Sequence, residues 1–313
     1  MRRKVIQLAG KTLVVSLPSK WVKKENVVKG NELELVEGEH SLVINLLQKT
    51  EAIKTCIDVS GLHASLVWHY VTAAYVKGVD ELELRFSEST IPNPRTKKTV
   101  KMAEYLGAVT ESLIGMEVVR YGNNFCVVKE VSEIKSDEFH IVLKRLFFNV
   151  TTFASDVATA VKKNDWIGLE HCAQLEKTVN RLCLFCWRAL NKGVGLKSAD
   201  TAAHVAVVTW LEEIADAYAT MIASVVPRSS KKMLLKTAHL LEDAKNVVDG
   251  LYRLWYDFEK SKSVEVYALT LDLKNRCSAS KAKSATDVCI VDACRVVAEK
   301  GMNVLNARIV LAI

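Results

Sequence analysis

The sequence predicts an α+β protein of several domains: a strand-rich head, a small α/β connector and an all-α bundle. Residues 1–50 carry short apolar alternations separated by turn-like residues, whereas from residue 138 to the end the apolar residues keep a 3.6-residue period. Only four prolines and 13 glycines interrupt the 313 residues, so long helices are expected to dominate. Half of the chain is apolar, which is ample for real cores and argues against disorder as the main state. Charged residues break every apolar run before the ~18 residues that a bilayer span requires, so an integral membrane protein is not expected. A basic cluster opens the chain, but Lys11 interrupts the apolar stretch behind it and no small-residue cleavage pattern follows. A signal peptide is therefore not expected, and a cytoplasmic location is. The eight cysteines, at 56, 126, 172, 183, 186, 277, 289 and 294, are scattered and read as free thiols.

In the head, Val5 and Leu8, then Leu13, Val15 and Leu17, then Leu33 and Leu35, then Leu42 and Ile44 mark four short strands. Leu17-Pro18-Ser19-Lys20-Trp21-Val22-Lys23-Lys24 between the second and third reads as a helical turn, because Pro18 and Ser19 suit a helix start. Lys29-Gly30-Asn31 supplies a turn. The chain's formal charge is +7, and the first 50 residues hold nine basic side chains against five acidic ones. More than half of the net charge therefore lies in the first sixth of the chain, where contact with an acidic surface such as nucleic acid is permitted.

The runs Lys4-Val-Ile-Gln-Leu-Ala-Gly-Lys11, Val14-Val15-Ser16-Leu17-Pro18-Ser19-Lys20-Trp21-Val22 and Lys29-Gly30-Asn31-Glu32-Leu33-Glu34-Leu35 resemble the AbrB/SpoVT swapped-hairpin module. The resemblance implies that two chains exchange β-hairpins to make one small dimeric barrel, and that basic residues on one face hold DNA. Arg2, Arg3, Lys4, Lys11 and Lys20 are the candidates here. A strand-rich piece of fifty residues has little core of its own, so a homodimer is also the physically sensible state.

Residues 51–136 read as the α/β connector. Ile53–Val59 and Leu82–Phe86 are strand-like, and His63–Lys77 between them has helical spacing. A second helix is expected over Thr96–Ile114, after the breaker Pro92-Asn93-Pro94, and a hairpin over Glu117–Arg120 and Phe125–Val131 around Gly122-Asn123-Asn124. The basic run Arg95–Lys101 is then the solvated start of that helix, with phosphate contact as the alternative. No phosphate loop or nucleophile elbow is found.

From residue 137 on, apolar stepping such as Phe139, Val142, Leu146, Val150, Phe153, Val157 and Val161 places helices near 138–163, 166–191, 200–226, 230–256, 258–280 and 284–311. Short connections between long helices imply antiparallel neighbours in a bundle over 137–313. Asp165 and Asp257, offset by 92 residues, and Asp216 and Glu299, offset by 83, suggest two copies of a three-helix unit.

That tandem pattern resembles the PhoU family of phosphate-uptake regulators. Val179-Asn180-Arg181-Leu182, with Arg188 behind it, looks like the family's second-helix V-D-x-L motif with Asn180 in place of the aspartate. Leu211-Glu212-Glu213-Ile214-Ala215-Asp216 looks like its third-helix E-R-I-G-D motif. In the second copy, Arg295 to Asn303, with Glu299, occupies the same place, and Asp272 falls at the second-helix aspartate. An AbrB-like head before such a bundle is an architecture associated with archaeal regulators. The resemblance implies a metal, a divalent ion or iron, held by carboxylates at the bundle's edge, with Glu212, Asp216, Asp272 and Glu299 as candidates. Glu212 and Asp216 are four residues apart and project from one side of a helix. At about 100° per residue they lie at the border of the stripe Val208, Leu211, Ala215, Tyr218 and Ile222, where an ordinary solvated acidic edge is the alternative. Arg295 and Asn180 stand where the family pattern has acids, so each copy's ligand set is incomplete.

Cys183 and Cys186 lie mid-helix with no second pair and no histidine at zinc spacing, so they read as buried thiols. His171, His204 and His239 are isolated, and Trp166, Trp187, Trp210 and Trp255 read as core or interface anchors. Nothing supplies a nucleophile or a matched acid and base, so no enzyme is expected. The expectation is a cytoplasmic, homodimeric, DNA-binding regulator whose bundle senses a phosphate-related signal. The alternative is an adaptor whose head only dimerises the chain while the bundle docks on a phosphate transporter or sensor kinase, without inserting into the membrane.

Overall fold

The structure, a computed structural model, describes residues 2–8, 10–38, 41–46, 52–135, 137–194, 198–228 and 237–313. The chain divides into two compact units, Met1–Ala52 and Ile53–Ile313.

In the first unit β1 (Val5–Leu8) pairs antiparallel with β2 (Thr12–Val15), turning at Gly10, whose φ of 77° is one that glycine adopts without a Cβ clash. A single helical turn, α1 (Ser19–Lys24), follows Pro18, and β3 (Leu33–Gly38) pairs with β4 (Ser41–Leu46). The expected four strands and helical turn are present. The expected barrel is not closed within the chain, because the two hairpins form separate two-stranded sheets. Two ribbons this short have too few strands to close alone. Where exposure is described, no residue of this unit is buried. Leu13 is 69% exposed, Val5 63% and Leu35 58%, values that belong to an interface or to an unfinished core.

The second unit opens with β5 (Lys54–Asp58), α2 (Ala64–Val76) and β6 (Glu81–Arg85), a βαβ crossover that puts β5 and β6 parallel. A hairpin of β7 (Thr90–Asn93) and β8 (Lys98–Lys101) leads into α3 (Met102–Glu111). Then β9 (Met116–Tyr121) and β10 (Phe125–Glu130) complete a sheet of order β5-β6-β10-β9. Period-2 alternation sends Leu82, Leu84, Cys126 and Val128 into the core with Val67, Val71 and Tyr75 of α2 and Leu106 of α3.

The helix expected over Thr96–Ile114 is corrected: residues 90–101 are the β7–β8 hairpin and the helix begins at Met102. The side chain of Asn93 accepts the N–H groups of Arg95 and Thr96, Lys97 turns the chain at φ 56°, and Ile91 anchors the ribbon in the core. These local bonds outcompete a helix start. The basic run Arg95–Lys101 therefore lies on an exposed hairpin and not on a helix.

The bundle consists of α4 (Glu138–Lys163), α5 (Trp166–Cys172), α6 (Gln174–Asn191), α7 (Thr201–Val225), α8 (His239–Tyr256), α9 (Lys260–Ala279) and α10 (Ala285–Val310). Asn164 ends α4 in the left-handed conformation, and the carboxylate of Asp165 accepts the Gly168 N–H to start α5. The single helix expected over 166–191 is broken at Ala173, whose N–H turns to the Glu170 carbonyl three residues back and tightens the axis. Of the helix expected over 230–256, residues 230–236 lie outside the described residues, and Thr237 and Ala238 form a turn that accepts the Leu240 and Leu241 N–H groups, so α8 begins at His239. The packing repeats: α6 lies on α4 and α7, α9 lies on α8 and α10, α4 meets α8, and α7 lies along α10. Fully buried Phe139, Phe147 and Phe153 weight this core, each worth roughly 1.5–3 kcal/mol of burial. The four tryptophans singled out above pack on it, and Cys183 and Cys186 are buried free thiols.

The sheet and bundle of this unit meet along α2 and α6. Leu184 packs in the sheet's core and Trp187 touches both cores. Among the described residues, no helix is long and apolar enough to cross a membrane.

Candidate functional site

The rotation of α7 is set by Leu211, Ile214, Ala215 and Tyr218, all at most 1% exposed. Their burial leaves Glu212 and Asp216 on the helix border that faces α6, where Glu176 adds a third carboxylate. Asn180, one turn beyond Glu176, donates its Nδ2 to Glu176 Oε1 at 2.6 Å, while its buried Oδ1 has no partner among the described residues. No cation pairs with Glu212 or Asp216 among the described residues. Glu213 beside them is held by Lys300 of α10 at 2.7 Å.

Without a cation the carboxylates repel. Burial, and then the charges of Asp216, Glu213 and Glu176, push the Glu212 carboxyl up to about 7. Burial followed by Glu176 and Glu213 also raises Asp216. The thiol of Cys183 lies beneath this edge, and burial drives it far above the ordinary thiol range, which makes it inert. A shallow groove of about 330 Å³ between α7 and α10 begins at the same place, lined by Glu213, Asp216, Met221, Ser224, Cys289 and Asp292.

Asp272 and Glu299 lie on the other three-helix set, where arginines satisfy the carboxylates. Arg276 pairs with Asp243 at 2.5 Å and stands 3.8 Å from Asp272, and Arg295 pairs with Glu299 at 3.1 Å. Glu212, Asp216, Asp272 and Glu299 are thus not gathered into one site. Among the described residues no three His, Cys, Asp or Glu side chains stand close enough to hold a metal ion. The donor chemistry at the first edge, carboxylates and an amide oxygen, suits a hard divalent cation, but the present spacing does not enclose one.

In the head, Arg2, Arg3 and Lys4 precede β1, Lys11 sits at the turn of the first hairpin and Lys20 on α1. All five are exposed, and none of their side chains has an ion pair or hydrogen bond among the described residues.

The sequence pattern gives no sign of a second polar cluster, at the seam of sheet and bundle. Arg188 of α6, 1% exposed, donates to the carbonyls of Tyr75 (2.7 Å) and Val79 (3.0 Å), and pairs with Asp80 and Glu130. Lys192, one turn on, reaches both carboxylates at 2.6 Å, and Asn191 donates to the Val76 carbonyl. These donors satisfy the Val76 carbonyl in the last turn of α2 and the Val79 carbonyl just beyond it, and add a donor to the Tyr75 carbonyl, which also accepts the Gly78 N–H. His204 is packed against Phe139 and Trp255, and its burial lowers its pKa.

Fold and site define a protein with a two-hairpin head, and with a sheet docked on a tandem three-helix bundle whose edge at Glu212 and Asp216 has no paired cation among the described residues. In sequence, no family model and no curated protein matches the chain. In structure, the chain is similar to the phosphate transport system regulatory protein PhoU from Streptococcus pneumoniae. The identity is 14% and the TM-score 0.46, over 56% of this chain and 93% of that one.

Proposed function

We propose that the protein is a homodimeric regulator of phosphate uptake that binds DNA through its head. The observation that carries the DNA reading is the pairing, in one small unit, of five cations without partners among the described residues and apolar ribbon residues without a core. A second chain supplies the missing core, and Arg2, Arg3, Lys4, Lys11 and Lys20 then contact phosphates. The link to phosphate uptake rests on the motifs at Val179–Leu182 and Leu211–Asp216 and on the doubled three-helix packing. The acidic edge of Glu212, Asp216 and Glu176 is the place where a divalent cation enters, with Asn180 Oδ1 as a neutral donor. Such an ion supplies the positive charge that this edge lacks.

Binding of the full-length chain to genomic DNA fragments across a salt series tests the reading. Retention at low salt is expected, with affinity falling steeply as salt rises. A dimeric chain that shows no retention on DNA at low salt replaces this reading with that of an adaptor docking on a transporter or sensor kinase.

A further inference from the structure

We propose that the α/β sheet carries a binding site for a small phosphate-type oxyanion, at the carboxyl end of its parallel strand pair and under the β7–β8 hairpin. The site goes beyond the function proposed above and stands whether or not the head binds DNA.

Its place follows from topology. The chain leaves the carboxyl end of β5 to enter α2, and leaves that of β6 to enter the hairpin, so both connections run over one sheet edge. In open α/β sheets such diverging connections leave a crevice where ligands collect. Here they enclose a cavity of about 220 Å³ lined by Ala64, Ser65, Trp68, Asn93, Arg95 and Tyr105.

The lining chemistry selects the ligand. Among the described residues its only formal charge is the Arg95 guanidinium, and no carboxylate lines it. Elsewhere in the α/β part, Lys54 and Lys129 lie by Glu81, Arg85 by Glu83 and Lys101 by Glu104, and Arg120 stands over the Phe125 ring. Arg95, with Lys97 and Lys98 beside it on the hairpin, has no acidic partner among the described residues. Two carboxylates near this edge are turned onto backbone instead, Asp58 accepting from Ser60 and Glu88 from Gly61.

The walls are held in place before any ligand arrives. Asn93 Oδ1 fixes the Arg95 and Thr96 amides, and Tyr105 donates its hydroxyl to the Ala64 carbonyl at 2.6 Å, tying α3 to the first turn of α2. Ser65 and Trp68, three residues apart, share one face of α2. An oxyanion entering here takes the guanidinium and the Ser65 hydroxyl while two aromatic rings exclude water. The volume lies below the ~300 Å³ at which drug-sized pockets begin, which fits a phosphate group with at most a small carrier and shuts out a duplex.

Calorimetric titration of the full-length chain with inorganic phosphate and with adenosine monophosphate tests the site. Binding no weaker than about 1 mM is expected for at least one probe. Arg95→Ala should weaken it by about tenfold or more, and Ser65→Ala by a smaller factor. Lys101→Ala, which removes a cation already paired with Glu104, should leave binding unchanged. Equal affinities assign the site to free phosphate. Tighter binding of the monophosphate that is lost in Trp68→Leu assigns it to a phosphate ester on a planar ring. The proposal is overturned if neither probe binds at about 10 mM. It is equally overturned if Arg95→Ala and Lys101→Ala weaken binding alike, or if duplex DNA alone responds to Arg95→Ala.

Discussion

The guanidinium of Arg188 lies 3.0 Å from the carboxylate of Glu130, on side chains only 1% and 10% exposed, and fastens the bundle to the last strand of the sheet. The same guanidinium closes the end of α2, lies 4.8 Å from the Tyr75 ring centroid and leaves Asp80 and Glu130 to be shared with Lys192. A helix of the first three-helix set thus carries both the sheet anchor and, at Glu176 and Asn180, one side of the acidic edge.

Removing one member of such a buried network strands the others in a low dielectric. Arg188→Ala should therefore lower stability by about 3–5 kcal/mol, measured by chemical denaturation. Arg188→Lys keeps the charge but loses the fork that reaches two carbonyls and two carboxylates, so it should recover only part of the loss. A cost within experimental error for Arg188→Ala would mean that sheet and bundle are joined by apolar packing alone.

Leu184 and Trp187 are the available signal for this seam, since they widen the apolar face of the helix beyond the single stripe that contains Leu182, Cys186 and Ala189. The partners of Arg188 lie more than 50 residues away in sequence, and no local pattern names them. Long bundle helices are legible to within about two residues at most ends, because a 3.6-residue period sustained over six or seven turns is hard to imitate. The break at Ala173 is not legible, because the apolar stepping passes through it without glycine or proline. The hairpin over 90–101 reads as a helix start because its strands are four residues long and its turn depends on the Asn93 side chain. The acidic pair Glu212 and Asp216 is readable from spacing, whereas Glu176 joins it only through helix packing.

Stability should report the charge crowding at that edge through pH. An unfolded Glu212 carboxyl ionises near its ordinary 4.5 and the folded one near 7, so between these values the folded chain holds a proton that the unfolded chain has lost. The stabilisation is complete below about pH 4.5 and disappears as pH rises through about 7. Allowing for solvent screening of this partly exposed group, about 1–2 kcal/mol should be lost across that window. Glu212→Gln should flatten this part of the pH profile, read from urea midpoints, and an unchanged profile would remove the crowding.

Metal should reverse the sign of the same substitutions. In chelator-treated protein at pH 8, Glu212→Gln with Asp216→Asn should be the more stable form by about 1 kcal/mol, because it relieves repulsion across one helical turn. With a saturating divalent cation, the unsubstituted protein should gain the ion's binding free energy and the double variant should not. Thermal melting of both proteins with and without Mn²⁺ separates the cases. If the unsubstituted protein does not respond to the ion, the edge is a solvated surface or a docking site for a basic partner.

The head should reveal its partner through its own apolar residues. Leu13 and Leu35 are 69% and 58% exposed, and no residue of the unit whose exposure is described is buried, so on the proposed reading a second chain supplies the apolar surface that completes the head. The full-length protein should sediment as a dimer at micromolar concentration. Leu13→Asp with Leu35→Asp should shift it toward monomer, because two carboxylates would have to be desolvated at the interface. Helix content, nearly all of which resides in the other unit, should remain. DNA binding should fall with the dimer, since a monomer presents half of the cations and forgoes their joint placement on the duplex. In the intact dimer, Arg2→Ala with Arg3→Ala should instead preserve assembly and make the log-log salt slope shallower by about 0.9 for each phosphate that is no longer neutralised. A monomeric full-length chain, or a salt slope indifferent to Arg2 and Arg3, would leave the exposed ribbons to a partner protein and the cations to another acidic surface.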